Sequence, residues 1–366
     1  MRLSRALERM LAGVVPRRRS RGDAPDAPAG RGYVERIHQS PTSLEVEGWL
    51  GVAGQRIDEY RLDLDGTAVA RATPQHRADV LEVFPTLSDA GATGFRFIAE
   101  PPPDLAGGWT TYDVVGLSGD QAVARIRLRY RPDFRDGLAD PPAELRYRVT
   151  RCEDLAVYWL GGLQTFGEFC GGIERYWEPA EVRRLLDWGC GCGRVTSLFL
   201  KYLPAVEVHG CDIDPEAIAW CRANLRSGHF AATDPGPPTP YPDGYFDVVT
   251  AYSVLTHLTQ PLQRSWLEEM DRILAPGGLF LGSVHGQFAA SFVGDPEILR
   301  DLETRGISDA TPDATLSGLA PNGYYRCTYQ RRNHTVREFS QVLRVLDYVP
   351  QGMTNFQDLV ILRKPG

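Results

Sequence analysis

The sequence has almost no lysine: Lys201 and Lys364 are the lysines among 40 basic residues, and the others are arginines. Acidic residues number 47, so the formal net charge at pH 7 is −7. Proteins that bind nucleic acid through a broad basic surface carry an excess of positive charge, which is missing here. The composition therefore predicts no nucleic-acid partner.

Long apolar runs and paired cysteine spacings are also missing. A membrane-spanning helix needs about 18 or more consecutive apolar residues, and no such run exists. The seven cysteines, from Cys152 to Cys327, are an odd number without a framework spacing, which indicates reduced thiols and a cytoplasmic protein. Cys190 and Cys192 form C-x-C within a glycine-rich stretch, where they are predicted to fill small positions and not to bind metal.

The first 30 residues differ in composition from the rest of the chain. Leu3, Leu7 and Leu11 fall at helical spacing between arginines, and a basic run and an Ala/Pro/Gly/Asp tract follow. One interpretation is an amphipathic helix whose residues 1–20 weakly contact an anionic membrane surface. The other, which we favour, is a flexible terminus and linker.

Residues 31–131 contain short strand-like runs separated by turns, with Asp65-Gly66 as a hairpin signal. This spacing predicts an all-β sandwich and resembles immunoglobulin-like modules of bacterial enzymes that handle sugars. Five aromatic residues either form a carbohydrate-stacking platform or pack the core, and we predict the core. They are Trp49, Phe84, Phe95, Phe97 and Trp109. Residues 132–180 are predicted to form a linker and two helices, broken at glycine pairs, and 181–366 a second domain.

Three alternating glycines follow an apolar run that ends near Trp188. The sequence Gly189-Cys190-Gly191-Cys192-Gly193 then leads into a helix-like segment. Strand, glycine turn and helix are the geometry of a nucleotide-binding loop, since glycine lets ligand and backbone approach closely. Arg194 occupies the position where the dinucleotide fingerprint needs its third glycine, which disfavours NAD and hence a nicotinamide oxidoreductase.

An acidic residue, Asp212, ends the next apolar run about 20 residues further on, followed by Ile213. A carboxylate at this point is positioned to accept hydrogen bonds from ribose hydroxyls. Asp214 precedes Pro215 and Glu216 and is predicted to cap the following helix.

These features belong to an ordered series. D-x-G-x-G-x-G at 187–193 and Asp212 are followed by P-D-G-Y-F-D at 242–247, P-G-G at 276–278 and a terminal hairpin. Over residues 140–364 the chain resembles class I S-adenosylmethionine-dependent methyltransferases. The resemblance implies an α/β, Rossmann-like domain with a mostly parallel seven-stranded sheet, an antiparallel terminal hairpin and S-adenosyl-L-methionine as cofactor. It also implies a closing helix at 341–346, while 287–321 is predicted to be an insertion near the acceptor.

The resemblance further implies residue roles. Asp187 either lies near the cofactor's methionyl ammonium or orients the glycine loop, and both alternatives stay open. Asp212 matches the ribose-binding acid, Asp234 is the candidate beside the adenine, and Tyr252 belongs to the stretch that lines the methyl-transfer face. Gly189, Cys190, Gly191, Gly193 and Ile213 complete the expected cofactor site. The helices within residues 143–180 would form a lid.

Transfer to an oxygen requires a base of near-neutral pKa. His257 and His285 both follow apolar strands at the end that faces the ligand crevice; either is a base or a structural histidine. Gln357 is a weaker pocket candidate. The prediction is metal-independent O-methylation of a small molecule or glycan. The alternative is a catalytically weak protein that binds glycans or acts as a scaffold, and no oligomeric state is predicted.

Overall fold

The computed structural model describes residues 30–90, 92–102, 105, 108–177, 181–313, 320–321 and 323–366. The N-terminal segment with its two interpretations lies almost entirely outside them. The chain divides into two compact units. Among the described residues, one contains everything up to Leu138 together with Asp154–Gly167, and the other contains Ala139–Glu153 and Glu168–Gly366.

The first unit consists of antiparallel sheets. Its strands are β1 (Arg31–Gln39), β2 (Leu44–Gly51), β3 (Glu59–Leu64), β4 (Thr67–Ala72), β5 (Gly94–Ala99), β6 (Thr110–Ser118) and β7 (Gln121–Tyr130). They form two sheets with the orders β1-β2-β5 and β4-β3-β6-β7. The predicted all-β architecture is confirmed. A short helix, α1 (Ala78–Val83), and a 3-10 turn at Pro85–Ala90 were not expected from the strand pattern.

The core of this unit explains its aromatic residues. Trp49, Phe95 and Phe97 are buried, with at most 5% of their surface exposed. The ring of Phe84 stacks on Trp49 with centroids 5.5 Å apart. These rings pack the unit, as predicted. Trp109 is partly exposed.

The second unit begins with α2 (Ala143–Thr150) and the long α3 (Leu155–Tyr176), whose first half belongs to the other unit. The alternating strands and helices that follow are β8 (Arg184–Trp188), α4 (Thr196–Tyr202), β9 (Glu207–Asp212), α5 (Pro215–Asn224), β10 (His229–Ala232), β11 (Phe246–Ala251), α6 (Gln260–Ile273) and β12 (Leu274–Val284). The chain ends with α7 (Gln287–Val293), α8 (Pro296–Thr304), β13 (Ile307–Ser308), β14 (Tyr329–Gln330), α9 (Arg332–Phe339), β15 (Arg344–Met353) and β16 (Gln357–Arg363).

Seven of these strands form one sheet in the order β10-β9-β8-β11-β12-β16-β15. The strands from β10 to β12 run parallel, and β16 is antiparallel to both β12 and β15. The strand order reverses between β8 and β11, and ligands of open α/β sheets bind outside the carboxyl ends of the strands at such a point. The predicted fold class is confirmed.

Two local expectations were wrong. The glycine pairs at 161–162 and 171–172 do not break α3, and Gly172 instead lets the helix approach the sheet, since a Cβ there would meet Leu281 Cδ2 at 2.6 Å. The closing helix is α9, before the predicted 341–346, where a turn leads into β15. The stretch 287–321, predicted to be an insertion, contains α7 and α8 among its described residues.

The core beneath the sheet depends on α6. Trp266, Leu267, Met270 and Ile273 are at most 2% exposed and cover one face of this helix, as its apolar spacing predicts. Trp266 packs on Trp188 of β8, with ring centroids 4.6 Å apart. Across the described residues, no helix combines the length and the apolar character needed to cross a membrane.

Replacing Trp266 by alanine should therefore lower the free energy of unfolding by about 3–5 kcal/mol, because a fully buried ring leaves a large cavity. Urea unfolding of the full chain measures this loss. Trp220→Ala is the matched control: its side chain is only partly buried, so the loss should be clearly smaller. Equal losses in the two variants would contradict this account of the core.

Candidate functional site

The glycine loop leaves β8 in a conformation that suits glycine. Gly189, Gly191 and Gly193 have φ values of +76°, +53° and +79°. A Cβ at Gly189 would lie 2.3 Å from Val254 Cγ2, and one at Gly193 would lie 2.5 Å from Leu225 Cδ1. Backbone conformation and space therefore both require glycine at these positions.

Asp212 binds the loop from the end of β9. Its Oδ2 accepts a hydrogen bond from the Gly191 N–H at 2.7 Å, and its Oδ1 accepts one from the Asp214 N–H at 2.9 Å. Burial raises the pKa of Asp212. Each carboxylate oxygen has two lone pairs, so each keeps capacity for a further donor such as a ligand hydroxyl.

The backbone of Asp212 positions further residues around the loop. Its carbonyl accepts the Thr233 N–H at 2.9 Å, which places Asp234 next to this edge of the loop with its side chain exposed. Ile213 is partly buried beside it. Asp214 caps α5 by accepting the N–H groups of Glu216 and Ala217, and this prediction is confirmed.

Helix α2 lies against the same loop. Arg148 donates to Asp214 Oδ2 at 2.8 Å and to Glu216 Oε2 at 2.7 Å, linking α2 to the start of α5. A Cβ on Gly191 would meet Val149 Cγ2 at 2.8 Å. The sequence pattern of α2 did not reveal this ion pair, since its partners lie far along the chain.

Asp187 is buried at the end of β8, with 3% of its surface exposed. Thr196, in the first turn of α4, donates to its Oδ2 at 2.6 Å, and Thr250 on β11 lies 3.5 Å from its Oδ1. Burial raises the pKa of Asp187 to about 6, although the hydrogen bond from Thr196 opposes the shift. The carboxyl group thus connects β8, β11 and the helix that follows the loop.

The residues after β11 touch the loop on its other side. Val254 fills the space left by Gly189, and Arg194 lies 5.4 Å from the centre of the Tyr252 ring. The hydroxyl of Tyr252 pairs with Thr354 Oγ1 at 2.9 Å. The predicted cofactor residues, Asp187 to Gly193, Asp212, Ile213, Asp234 and Tyr252, are therefore gathered around one loop.

Ser253 has the unusual φ of +60° for a residue with a side chain. Its N–H donates to Ser283 Oγ at 2.7 Å, and its hydroxyl accepts from Gln357 Nε2 at 3.0 Å. Such backbone strain persists where the surroundings hold it, and it is concentrated at functional sites. Gln357 is 5% exposed and its Oε1 has no hydrogen-bond partner.

His257 ends the 3-10 turn Leu255–His257, three residues after Val254. Its Nδ1 lies 3.0 Å from Asp313 Oδ2, although the ring N–H is not directed well enough for a hydrogen bond. A quarter of the His257 side chain, 24%, is exposed. An imidazole next to a carboxylate and open to solvent has the arrangement of a general base with an orienting acid.

His285 follows β12 and has different surroundings. Its ring stacks on Tyr329 with centroids 4.9 Å apart and makes an edge-to-face contact with Phe356, with centroids 5.6 Å apart. The structure thus gives His285 an aromatic environment and His257 an acidic one.

A segment that the sequence analysis did not single out holds both histidines. We call residues 324–330 the tyrosine segment. Its Arg326 N–H donates to the His257 carbonyl at 3.0 Å, and its Gln330 N–H donates to the His285 carbonyl at 2.9 Å. The ring of Tyr325 packs against that of His257 with centroids 5.7 Å apart. Burial raises the pKa of Tyr325.

Comparison with known proteins matches residues 185–278 to a family model described as a methyltransferase domain. An uncharacterized methyltransferase of Schizosaccharomyces pombe is 34% identical over 105 residues, which are 26% of this chain and 37% of that protein. A ribosomal protein L11 methyltransferase of Ralstonia pickettii is 36% identical over 112 residues, 31% of this chain and 35% of that protein. The chain thus spans about a third of these relatives.

A solved structure, a S-adenosylmethionine-dependent methyltransferase of Clostridium acetobutylicum, has 14% sequence identity and a TM-score of 0.39. The similarity covers 56% of this chain and 92% of that one.

The buried Asp187 should make stability depend on pH. Because its folded-state pKa is about 6 against an ordinary 3.8, its stabilising contribution is complete below pH 3.8 and is lost as pH rises through 6. The difference corresponds to about 3 kcal/mol. In the ligand-free chain, Asp187→Asn should abolish this decline, measured by urea unfolding between pH 4 and pH 7. Parallel pH profiles of variant and wild type would refute the assignment.

Proposed function

We propose that this chain is a class I S-adenosylmethionine-dependent methyltransferase that methylates a hydroxyl oxygen of a small molecule or a glycan without a catalytic metal. The match of residues 185–278 to a methyltransferase domain supports the predicted enzyme class. The glycine loop together with Asp212 supports S-adenosyl-L-methionine as the cofactor. The observation that carries the finer proposal is the proximity of His257 to Asp313. His257 lies three residues after Val254, which packs against Gly189 of the glycine loop.

The loop residues fit the cofactor. Without Cβ atoms the three glycines let a ligand lie close to the loop, although their N–H groups already donate to Cys211, Asp212 and Cys190. Asp212 has acceptor capacity for two vicinal ribose hydroxyls. Asp234, exposed beside Asp212, would flank the adenine, and Tyr252 would face the reacting end. Helix α2, held by Arg148 on Asp214, would form a lid.

Asp187 is better suited to orient the loop than to touch the ligand. Its two oxygens face Thr196 and Thr250, and its surface is nearly all buried. We therefore assign it to positioning α4 and the loop. Cys190, buried between Gly189 and Gly191, fills the loop without a chemical role.

The bound cofactor supplies an activated methyl group, so the protein must position the acceptor and remove its proton. With Nδ1 turned towards Asp313, the Nε2 of His257 accepts the hydroxyl proton. Asp313 then stabilises the imidazolium that forms. The Oε1 of Gln357, which is buried and has no hydrogen-bond partner, can accept a hydrogen bond from a second polar group of the substrate.

The aromatic packing of His285 favours a structural role at the wall of the acceptor site. The negative net charge supports a small or carbohydrate acceptor over RNA. The seven cysteines, none of them in a disulfide, support a cytoplasmic location. The alternative is a catalytically weak protein that binds glycans or acts as a scaffold. Glycan binding by the first unit would need exposed aromatic rings, whereas Trp49, Phe95 and Phe97 are buried.

The acceptor class is testable directly. The full chain is incubated with methyl-labelled S-adenosylmethionine and a panel of sugars, glycans, phenols and aliphatic alcohols, with peptides and RNA as a second arm. We expect label in an alkali-stable ether on a hydroxyl compound. Label confined to peptide or RNA would contradict the proposed acceptor, and S-adenosylhomocysteine binding without turnover on any compound would favour the scaffolding alternative.

Replacing Asp212 by asparagine should weaken S-adenosylhomocysteine binding about 10- to 100-fold, since hydrogen bonds to a charged group contribute about 1.5–3 kcal/mol. Titration calorimetry measures the affinity. Asp243→Asn is the control, because this exposed carboxylate contacts Arg272, away from the loop. Unchanged affinity in Asp212→Asn would refute the ribose assignment.

With an acceptor from the panel, His257→Asn should lower kcat by about 10²- to 10⁴-fold, the range typical of a general base. The affinity for S-adenosylhomocysteine should stay within error, because the base does not hold the cofactor. His285→Asn is the matched comparison and should retain most activity. A loss confined to His285→Asn would move the base to that residue.

A further inference from the structure

Three potential metal ligands lie together on the sheet, at the end of β9 opposite to Asp212. Glu207 and His209 are two residues apart on β9, so their side chains point to the same face. His229, the first residue of β10, pairs directly with His209 in the parallel register. The two strands thus bring a carboxylate and two imidazoles to one place.

The ligand atoms of these residues are close. One atom from each of Glu207, His209 and His229 lies within 4.8 Å of the others. His209 Nε2 is 2.8 Å from Glu207 Oε1, and the two imidazole rings stack with centroids 4.7 Å apart. Zinc bound by such ligands requires distances of about 2.0–2.2 Å to the metal. His229 is exposed, so its side chain has room to rotate towards a shared ion.

The surroundings orient the ligands. Tyr245 donates its hydroxyl proton to Glu207 Oε1 at 2.9 Å, and Arg184 Nε lies 3.4 Å from Oε2. Tyr241, Tyr245 and Phe246 present their rings edge-on to His209, which fixes the plane of its imidazole. Partners of this kind hold ligating side chains in the geometry that a metal needs.

We propose that Glu207, His209 and His229 form a zinc-binding site at the amino-terminal end of β9, separate from the methyl-transfer site. Imidazole and carboxylate ligands suit zinc, and the solvent-exposed side of His229 leaves room for water as the fourth ligand. His209 precedes Asp212 by three residues, roughly 10 Å along an extended strand. The ion therefore clamps the edge strand β10 to β9 and takes no part in proton transfer from the acceptor.

The test is titration of the metal-stripped full chain with Zn²⁺, followed by calorimetry and by thermal unfolding. We expect one equivalent to bind and to raise Tm, because a ligand of the folded state alone stabilises that state. His229→Ala should weaken binding by at least about 10- to 100-fold, since even partners outside the ligand set have effects of this size. His76→Ala, an exposed histidine of the first unit, is the control and should bind like the wild type.

Seven free thiols are competing ligands, so Co²⁺ serves as a second probe. A site of two imidazoles and a carboxylate gives visible d–d bands without thiolate charge-transfer absorption in the near ultraviolet. Thiolate bands, unchanged affinity in His229→Ala, or no binding would each overturn the proposal. S-Adenosylhomocysteine binding is measured in the same variants and should persist, which separates a failure of this site from a failure of the proposed function.

Discussion

The hydrogen bond from the Gly191 N–H to Asp212 is the contact on which the site depends. It joins the loop after β8 to the end of β9, and the second oxygen of the same carboxylate receives the Asp214 N–H. The side chain of Asp212 therefore holds the loop and the residue that caps α5, while its backbone carbonyl accepts the Thr233 N–H beside Asp234. A carboxylate used in this way is paired before any ligand arrives, so a ribose adds donors to a group that the protein already holds in place.

The glycine loop also contacts the residues that follow β11. Because Gly189 has no Cβ, Val254 packs directly against it, and His257 follows one turn later. The tyrosine segment then binds the backbones of both histidines while Tyr325 covers His257. Short contacts thus connect the glycine loop, the residues after β11 and the tyrosine segment within the second unit.

Local chemistry explains what the sequence could predict. The glycines at positive φ, the Asp214-Pro215 cap and the Asp65-Gly66 turn are each determined by residues within a few positions of them. The strands of the three larger sheets are likewise indicated by their local sequence. Contacts such as His257–Asp313 or Arg148–Asp214 join residues far apart in the chain, and no spacing indicates them. Helix α8 had a local signal that was missed: Asp295 caps it and Pro296 is its first residue. Its Ile298 and Leu302, four positions apart, form a buried face. Helix α7 has seven residues, and helices this short depend on packing for their stability.

Strand β9 shows why position along a strand matters more than residue type. Its carboxyl end carries Asp212 at the crevice, where a parallel sheet places its ligands, and its amino end carries Glu207 and His209. A metal at the amino end cannot reach an acceptor beside His257, so a zinc site there is compatible with metal-independent transfer. It would act on β10, a four-residue edge strand whose pairing with β9 ends at Asp212 and continues as the Thr233 hydrogen bond. A metal bound to His229, the first residue of β10, would hinder a shift in the register between β10 and β9. The position of Asp234 beside the loop depends on the same register.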